Sequence, residues 1–320
     1  MKTILTGVQA TGTIHVGNYL GAIQPAIKSA NSTNDKSSFF IANMHSLNTV
    51  KDAKKLQQFT REIACTWLAC GLDTKKTVFY RQSDVPEIFE LATIISNVTA
   101  KGLLNRAHSY KAAIQRNLDA KRDPDDDVNM GLYLYPMLMT ADILIMDTNF
   151  VPVGADQKQH LEMAGDIAKA FNAVYGQTLV VPKEIIKTDV GTIPGLDGRK
   201  MSKSYGNVIP LFCGEDELLK CIKRIATDSS APTDPKPTDH LIFQLYKHFT
   251  GTDLDNKIGW GDAKQKLFVA MNEAIKPMRD KYNYLMANYN EVEIILADGA
   301  KKARAVARKT LDRVRNAVGV

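Results

Sequence analysis

The stretch GRKMSKSYG, residues 198–206, sets Arg199, Lys200 and Lys203 among Ser202, Ser204 and two glycines. Lys200 and Lys203 are mobile cations suited to closing on a polyanion, and Ser202 and Ser204 add donors for phosphate oxygens. The same composition also suits a solvated connector, because Lys, Ser and Gly bury too little apolar surface to order themselves. A second stretch, TGVQATGTIHVGNYLG at 6–21, has Gly7 and Gly12 for tight turns and Gly17 for close approach at a helix start. Its Gln9, Thr11, His15 and Asn18 offer hydrogen-bonding groups to a triphosphate. The plainer alternative is a strand-to-helix turn holding a satisfied histidine.

Two further stretches carry polar anomalies. VGADQKQH, 153–160, again leads a glycine into a helix. Gly154, Asp156 and Gln157 at a strand's carboxyl end suit a ribose or substrate contact, the plainer alternative being that Asp156 merely caps the helix, and His160 reads as an ordinary surface residue. YPMLMTADILIM, 135–146, is an apolar helix with one carboxylate, Asp142, in its middle. A buried carboxylate costs several kcal/mol unless paired, so Asp142 needs a partner. That partner is either an arginine or backbone N–H of the protein, or a donor on a ligand.

The elements needed to position these residues follow from periodicity. KTILTG, SSFFIAN, TVFYRQ, FVPVG and TLVVP read as strands. Between them, three- and four-residue apolar steps predict helices after Gly17, over Leu56–Trp67, Pro86–Ala100, Pro136–Met146 and Leu161–Phe171. Alternation of strand and helix predicts an α/β, doubly wound, Rossmann-like parallel sheet covered on both faces. Ligands then bind beyond the carboxyl ends of its strands. After residue 204 helical periods dominate, as at Leu267, Phe268, Met271 and Ile275, so a smaller all-helical domain should follow. The expected division is 1–199 and 200–320, with a charged excursion at about 101–130 that contains AKRDPDDDVN.

The 320 residues, 44% hydrophobic and 24% charged, describe an ordinary globular composition. Gly7, Gln9, Gly12, His15, Gly17 and Asn18 interrupt the uncharged N-terminal stretch, which argues against a targeting segment. The later apolar run contains Asp142 and is too short to span a membrane. Cys65, Cys70, Cys213 and Cys221 lack zinc-site or C-x-x-C spacing and read as reduced thiols, which favours the cytoplasm. With a net charge of +6, the basic run of Lys301, Lys302, Arg304, Arg308, Lys309, Arg313 and Arg315 suits either a phosphate backbone or solvent.

HVGN, 15–18, after the first strand and KMSKS, 200–204, after the last resemble the HIGH and KMSKS signatures of class I aminoacyl-tRNA synthetases. With GADQKQH and MLMTADIL between them, nearly the whole chain is similar to the bacterial-type tryptophanyl branch of that family. The resemblance implies activation of L-tryptophan with ATP, Mg²⁺ accompanying the nucleotide without a dedicated metal site, and transfer to tRNA(Trp). It also implies a homodimer and an anticodon-reading helical domain that includes Lys301–Arg315.

By the same resemblance His15, Asn18, Lys200 and Lys203 act in catalysis. Gln9, Ala10, Thr11, Gly17 and Asn18 hold ATP at the first helix, Gly154, Ala155 and Asp156 lie near the nucleoside, and Ile193 lies near the adenine. Lys200, Met201, Ser202, Lys203 and Ser204 close the site. Asp142 accepts the indole N–H, Tyr135 and Gln157 hold the ammonium group, and Met139, Leu5 and His45 complete the tryptophan pocket. The chain departs from the family's pattern at Ala10, Ala113, Ala155 and Tyr205–Gly206, which touches ATP geometry more than reaction class; Lys111 is retained.

The rival on the same scaffold is a tyrosyl-tRNA synthetase, whose small forms place a tyrosine where this chain has Leu5. A nucleotidylyltransferase would leave Asp142 and the basic C-terminal run unused. A non-catalytic RNA-binding paralogue should have lost the signature lysines.

Overall fold

The computed structural model describes residues 2–154, 157–186 and 193–320. In chain order its elements are β1 (Thr3–Val8), α1 (Val16–Asn18), a π-helical turn (Tyr19–Ile23), α2 (Gln24–Ser32), β2 (Lys36–Ile41), α3 (Asn43–Ser46), α4 (Ala53–Ala69) and β3 (Thr77–Arg81). A 3-10 turn (Gln82–Asp84) leads to α5 (Glu87–Ser96), α6 (Lys101–Leu104), α7 (His108–Asp119), α8 (Met130–Ile145), β4 (Phe150–Val153), α9 (Lys158–Tyr175) and β5 (Lys183–Ile186). A second 3-10 turn (Lys203–Tyr205) precedes α10 (Glu215–Lys223), α11 (Leu241–Thr250), α12 (Trp260–Ala287) and α13 (Tyr289–Val318).

The strands form a parallel sheet in the order β3-β2-β1-β4-β5. The chain winds outward from β1 through β2 to β3, then returns to the other side of β1 with β4. The strand order therefore reverses between β1 and β4, where a parallel sheet opens a crevice at its carboxyl edge. Alternation along β2 sends Phe39 into one apolar layer and Phe40 into the other, and β3 does the same with Phe79 and Tyr80. One layer is completed by α4 through Ile63 and Trp67, and by Leu267 of α12. The other is completed by α5, α8 and α9 through Ile88, Leu144 and Phe171, and by Leu311 of α13.

Local signals explain the helix starts. Asp52 caps α4 by accepting from Lys54 N and Lys55 N at 2.9 and 3.1 Å, and Asn129 caps α8 by accepting from Leu132 N at 3.0 Å. That cap starts α8 six residues before Pro136, which lies inside the helix rather than at its beginning. The region expected to be a bare excursion contains α6 and α7. Its charged tip is folded back on Asn117, which donates to Pro124 O and Asp126 O at 2.9 and 2.6 Å.

TLVVP is not a strand; β5 follows it, paired with β4 from Phe150↔Lys183 to Val153↔Ile186. The reason is that Thr178 N and Leu179 N already donate to the Asn172 side chain at 3.0 and 2.8 Å, and Pro182 has no N–H to give. The cysteines are free thiols. No described helix is long and apolar enough to cross a membrane.

Candidate active site

The glycine loop ends in a reciprocal cap. His15 Nδ1 accepts from Asn18 N at 3.3 Å, while Asn18 Oδ1 accepts from His15 N at 3.2 Å. An accepting Nδ1 places the single imidazole proton on Nε2. Burial, and then the Lys203 charge, lower the His15 pKa from 6.5 to about 4, so the ring is a neutral donor at physiological pH.

The segment after the basic loop braces this turn: Val16 N donates to Ile209 O at 2.9 Å and Leu211 N to Ile14 O at 3.0 Å. Arg279 of α12 holds the far end of that segment by donating to Cys213 O at 2.9 Å. The helical region and the glycine loop are thus joined through one strip of backbone.

The basic loop is ordered against the glycine loop, so it is no free connector. Met201 is buried, its N donates to Ile193 O at 3.1 Å, and its sulfur lies 3.3 Å from Gly17 N. A side chain at position 17 would crowd the His15 ring and Met201, which accounts for the glycine. Lys203 Nζ reaches Thr11 O at 3.4 Å across Gly12, whose φ of +112° favours glycine. Burial lowers the Lys203 pKa, and the nearby Glu62 carboxylate opposes that shift.

Sequence reading passed over Asn207, the buried residue that organises this loop. It accepts from Ser202 N at 2.8 Å and donates to Asp197 Oδ1 and Lys200 O at 2.7 and 3.1 Å. Lys200, Ser202, Lys203 and Ser204 are thereby presented along the loop's outer side, with Ser202 and Ser204 hydroxyls 2.8 Å apart. Ile193 is packed in the core beneath Met201, and Ala10 is buried with its N–H on Ser46 Oγ at 2.8 Å. Ala155 and Asp156 lie outside the described residues. Where the sequence suggests an Asp156 cap, the described N-cap of α9 is Gln157.

At the β1/β4 crevice lies a cavity of about 320 Å³. It gathers Leu5 and Gln9 from β1 and its loop, Gly154 and Gln157 after β4, His45 from α3, and Tyr135, Met139 and Asp142 from α8. Tyr135 OH contacts the His160 ring, and His160 Nδ1 lies 3.2 Å from Gln157 Oε1. His160, expected on the surface, is therefore buried, its ring set against Tyr135 and Gln157, which line the cavity.

Asp142 is 1% exposed. Among the described residues its partners are side chains other than the arginine or backbone N–H considered from sequence. His45 Nε2 lies 2.9 Å from Oδ2, and Gln82 Nε2 lies 2.9 and 3.0 Å from the two oxygens. Burial pushes the Asp142 pKa above the usual carboxylate range, against the pull of His45 and Gln82. Two donor groups do not exhaust a carboxylate's roughly four lone-pair sites, so an acceptor position remains for a ligand in the cavity. His45, expected in the tryptophan pocket, lines the cavity and also braces Asp142; Gln82, fully buried, carries no signal in the sequence that marks it. No local pattern marks a glutamine at a strand end as the donor to a helix 60 residues later.

A second hollow, under the glycine loop, includes Thr11, His15, Lys203 and Glu62. Among the described residues no cluster of His, Cys, Asp or Glu is arranged to hold a metal ion. The arginines expected to face RNA are largely engaged. Arg304 and Arg308 meet Glu87, Arg313 meets Asp147, and Arg315 meets Glu90.

Comparison with known proteins agrees with this geometry. The family model described as tRNA synthetases class I (W and Y) matches residues 1–312. The chain is 47% identical over 328 residues to the tryptophan–tRNA ligase of Xylella fastidiosa strain Temecula1, covering 99% of this chain and 75% of that protein. It is 46% identical over 329 residues to the tryptophan–tRNA ligase of Neisseria meningitidis serogroup A, covering 100% of this chain and 98% of that protein. The crystal structure of Campylobacter jejuni tryptophanyl-tRNA synthetase complexed with ADP and tryptophan superimposes with a TM-score of 0.89 at 38% identity, covering 99% and 100% of the two chains. The chain belongs to the class I tRNA synthetases, in their tryptophan and tyrosine family.

Proposed function

We propose that this chain is a tryptophan–tRNA ligase: it activates L-tryptophan with ATP to the adenylate and transfers the aminoacyl group to the terminal ribose of tRNA(Trp). The observation that carries the choice of amino acid is the Asp142 carboxylate, walled into the switch-point cavity with His45 and Gln82 behind it and an acceptor position in front. An indole N–H satisfies that position, and Leu5, 1% exposed, supplies apolar wall where a phenol would need a polar partner. A ligand without the N–H leaves a desolvated carboxylate unpaired, a difference that can reject analogues by ~10⁴–10⁵. Tyr135, Gln157 and Met139 also line the cavity; in this reading the first two hold the ammonium group and Met139 packs on the ring.

The tryptophan carboxylate is already ionised at neutral pH and needs no base to attack the α-phosphate. Catalysis is then positioning, which can contribute ~7–11 kcal/mol, and stabilisation of phosphate charge. The neutral His15 offers Nε2–H without a counter-charge, Asn18 holds its orientation, and Gly17 lets phosphate approach the first helix. Lys203 leaves Thr11 O to meet the departing pyrophosphate together with Lys200 and the Ser202 and Ser204 hydroxyls. Gln9, Ala10 and Thr11 line the phosphate path, with Gly154, Ala155, Asp156, Ile193 and Met201 on the nucleoside side. Mg²⁺ would accompany ATP and offset phosphate charge, without a dedicated protein site.

In this reading residues 1–199 are the catalytic unit and 200–320 carry the closing loop and the tRNA-reading helices. The protein works as a cytoplasmic homodimer. The test is amino-acid-dependent exchange of labelled pyrophosphate into ATP with tryptophan, tyrosine and phenylalanine, repeated with Asp142→Ala and Lys203→Ala. Tryptophan alone should support exchange, and both variants should lose it. A preference for tyrosine, or full activity in Lys203→Ala, overturns the assignment.

A further inference from the structure

The basic run near the C-terminus divides in two once folded. Arg313 and Arg315 are spent as clasps: Arg313 gives Nη1 and Nη2 to Asp147 at 3.1 and 2.6 Å, and Arg315 gives Nε and Nη2 to Glu90 at 2.6 Å each. Arg304 and Arg308 differ. Both reach Glu87 through Nε alone, at 2.9 to 3.1 Å, so their terminal amino groups carry no hydrogen bond among the described residues. Glu87 is buried beneath them, an anchor that orients both guanidinium groups without covering their outer edges. Lys301 is exposed and unpaired among the described residues.

Lys301, Arg304 and Arg308 recur at three- and four-residue steps, so they line one face of α13 over about 10 Å. With Arg81 they border a groove of about 550 Å³ that the small residues Ala297, Ala300 and Ala305 also line. Small lining residues let a bulky group approach, and a guanidinium fork held from behind suits phosphate bidentately. Arg81 itself is neutralised by Asp84 and Glu293, so the usable charge comes from the helix. Repeated cations along a shallow groove fit a chain of monoanions. A tRNA whose terminal adenosine enters the active site must run its remaining phosphates over the protein surface.

We propose that this groove, bordered by Lys301, Arg304 and Arg308, binds the phosphodiester backbone of the tRNA body. It is a contact apart from the signature loops and the amino-acid cavity. The proposal rests on the synthetase reading for its RNA partner. It also makes the turn Gln82–Asp84 a shared wall, since Gln82 faces Asp142 on one side while Asp84 borders the groove on the other.

The test uses the full chain with Lys301→Ala and Arg308→Ala combined, which leaves the Arg304–Glu87 anchor in place. Binding of fluorescent tRNA(Trp), without ATP or tryptophan, should weaken about tenfold, and its salt dependence should become shallower by about two counter-ions. Tryptophan-dependent pyrophosphate exchange should stay as in the unaltered chain. Lys309→Ala, outside the groove, should change little.

Unchanged tRNA affinity and salt slope in the double variant overturns the proposal. So does an equal loss in Lys309→Ala, which would indicate a diffuse field. Inorganic phosphate is the second probe: stabilisation by phosphate that the double variant loses, with tRNA affinity intact, would make this a small-anion site and sink the RNA assignment. Absence of exchange in the unaltered chain would strike the synthetase reading alone, because direct tRNA binding still decides the groove.

Discussion

Gln82 aims one amide nitrogen at both carboxylate oxygens of Asp142, at 2.9 and 3.0 Å. Its own oxygen accepts from Met44 N and His45 N at 3.2 and 3.3 Å, which prevents the amide from turning round. The glutamine therefore joins the end of β3, the start of α3 and the middle of α8. Gln82→Ala removes a donor to a buried charge and leaves two backbone N–H groups unpaired. Hydrogen bonds to charged groups contribute about 1.5–3 kcal/mol, so the tryptophan KM in pyrophosphate exchange should rise roughly 10- to 100-fold. An unchanged KM would show that His45 alone holds the carboxylate.

Asp142 should make tryptophan binding sensitive to acid. Its carboxyl keeps its proton to a higher pH than an ordinary aspartate because burial outweighs the bonds from His45 and Gln82. The accepting, ionised form is therefore lost on acidification before an exposed carboxylate, near pH 3.9, would respond. The sign for stability is the opposite of that for a paired surface aspartate. A native pKa above the unfolded one means the favourable contribution exists at low pH and disappears as pH rises through the native value. Asp142→Asn should abolish the acid limb in tryptophan affinity, measured by calorimetry, while its stability rises less steeply on acidification from neutral pH.

His15 shifts the other way, to about 4, through burial and then Lys203. Its native pKa lies below the unfolded value of about 6.5, so its contribution to stability is complete above that pH and is lost as pH falls towards 4. His15→Asn keeps a capping acceptor but removes the titration. Urea midpoints between pH 6.5 and 4 should be flatter for the variant than for the parent. Exchange should fall about 10²-fold, the usual cost of losing one donor to developing phosphate charge. Parallel urea profiles would remove the ring from the account of acid stability.

Gly299 sits where α13 crosses β3, and a methyl there would overlap the Phe79 carbonyl. Gly299→Ala must move helix or strand apart, because the obstacle is backbone. Overpacking costs about 1–3 kcal/mol and should outweigh the gain in helix propensity of about 1 kcal/mol. Gly261→Ala in α12, which meets open space, is the matched control and should be neutral or stabilising. Equal urea midpoints for the two variants would contradict the close crossing.

Much of the scaffold is legible along the chain. Strand-helix alternation marks a parallel sheet because each crossover must cover a face, and the signature loops declare themselves by glycine and lysine spacing. TLVVP misleads because strand propensity is blind to Asn172, whose side chain takes the N–H groups a strand would need. The excursion at 101–130 hides α6 and α7 because its charges obscure the apolar period, while Leu104, Ala107 and Met163 form a small core beneath it. His160 looks like surface because its partner, Tyr135, stands 25 residues earlier on another helix.

Residue type and spacing by themselves marked the candidate machinery: a cationic loop, a glycine turn into a helix, and a single carboxylate in an apolar helix. These are local patterns, set by backbone conformation and charge within a few residues. Only the tertiary structure decided what surrounds that carboxylate, which arginines meet Glu87 through Nε alone and which clasp Asp147 and Glu90 with two nitrogens. Such pairings join positions 60 to 225 residues apart. They depend on which faces the sheet and its covering helices bring together, and no short window of sequence contains that information.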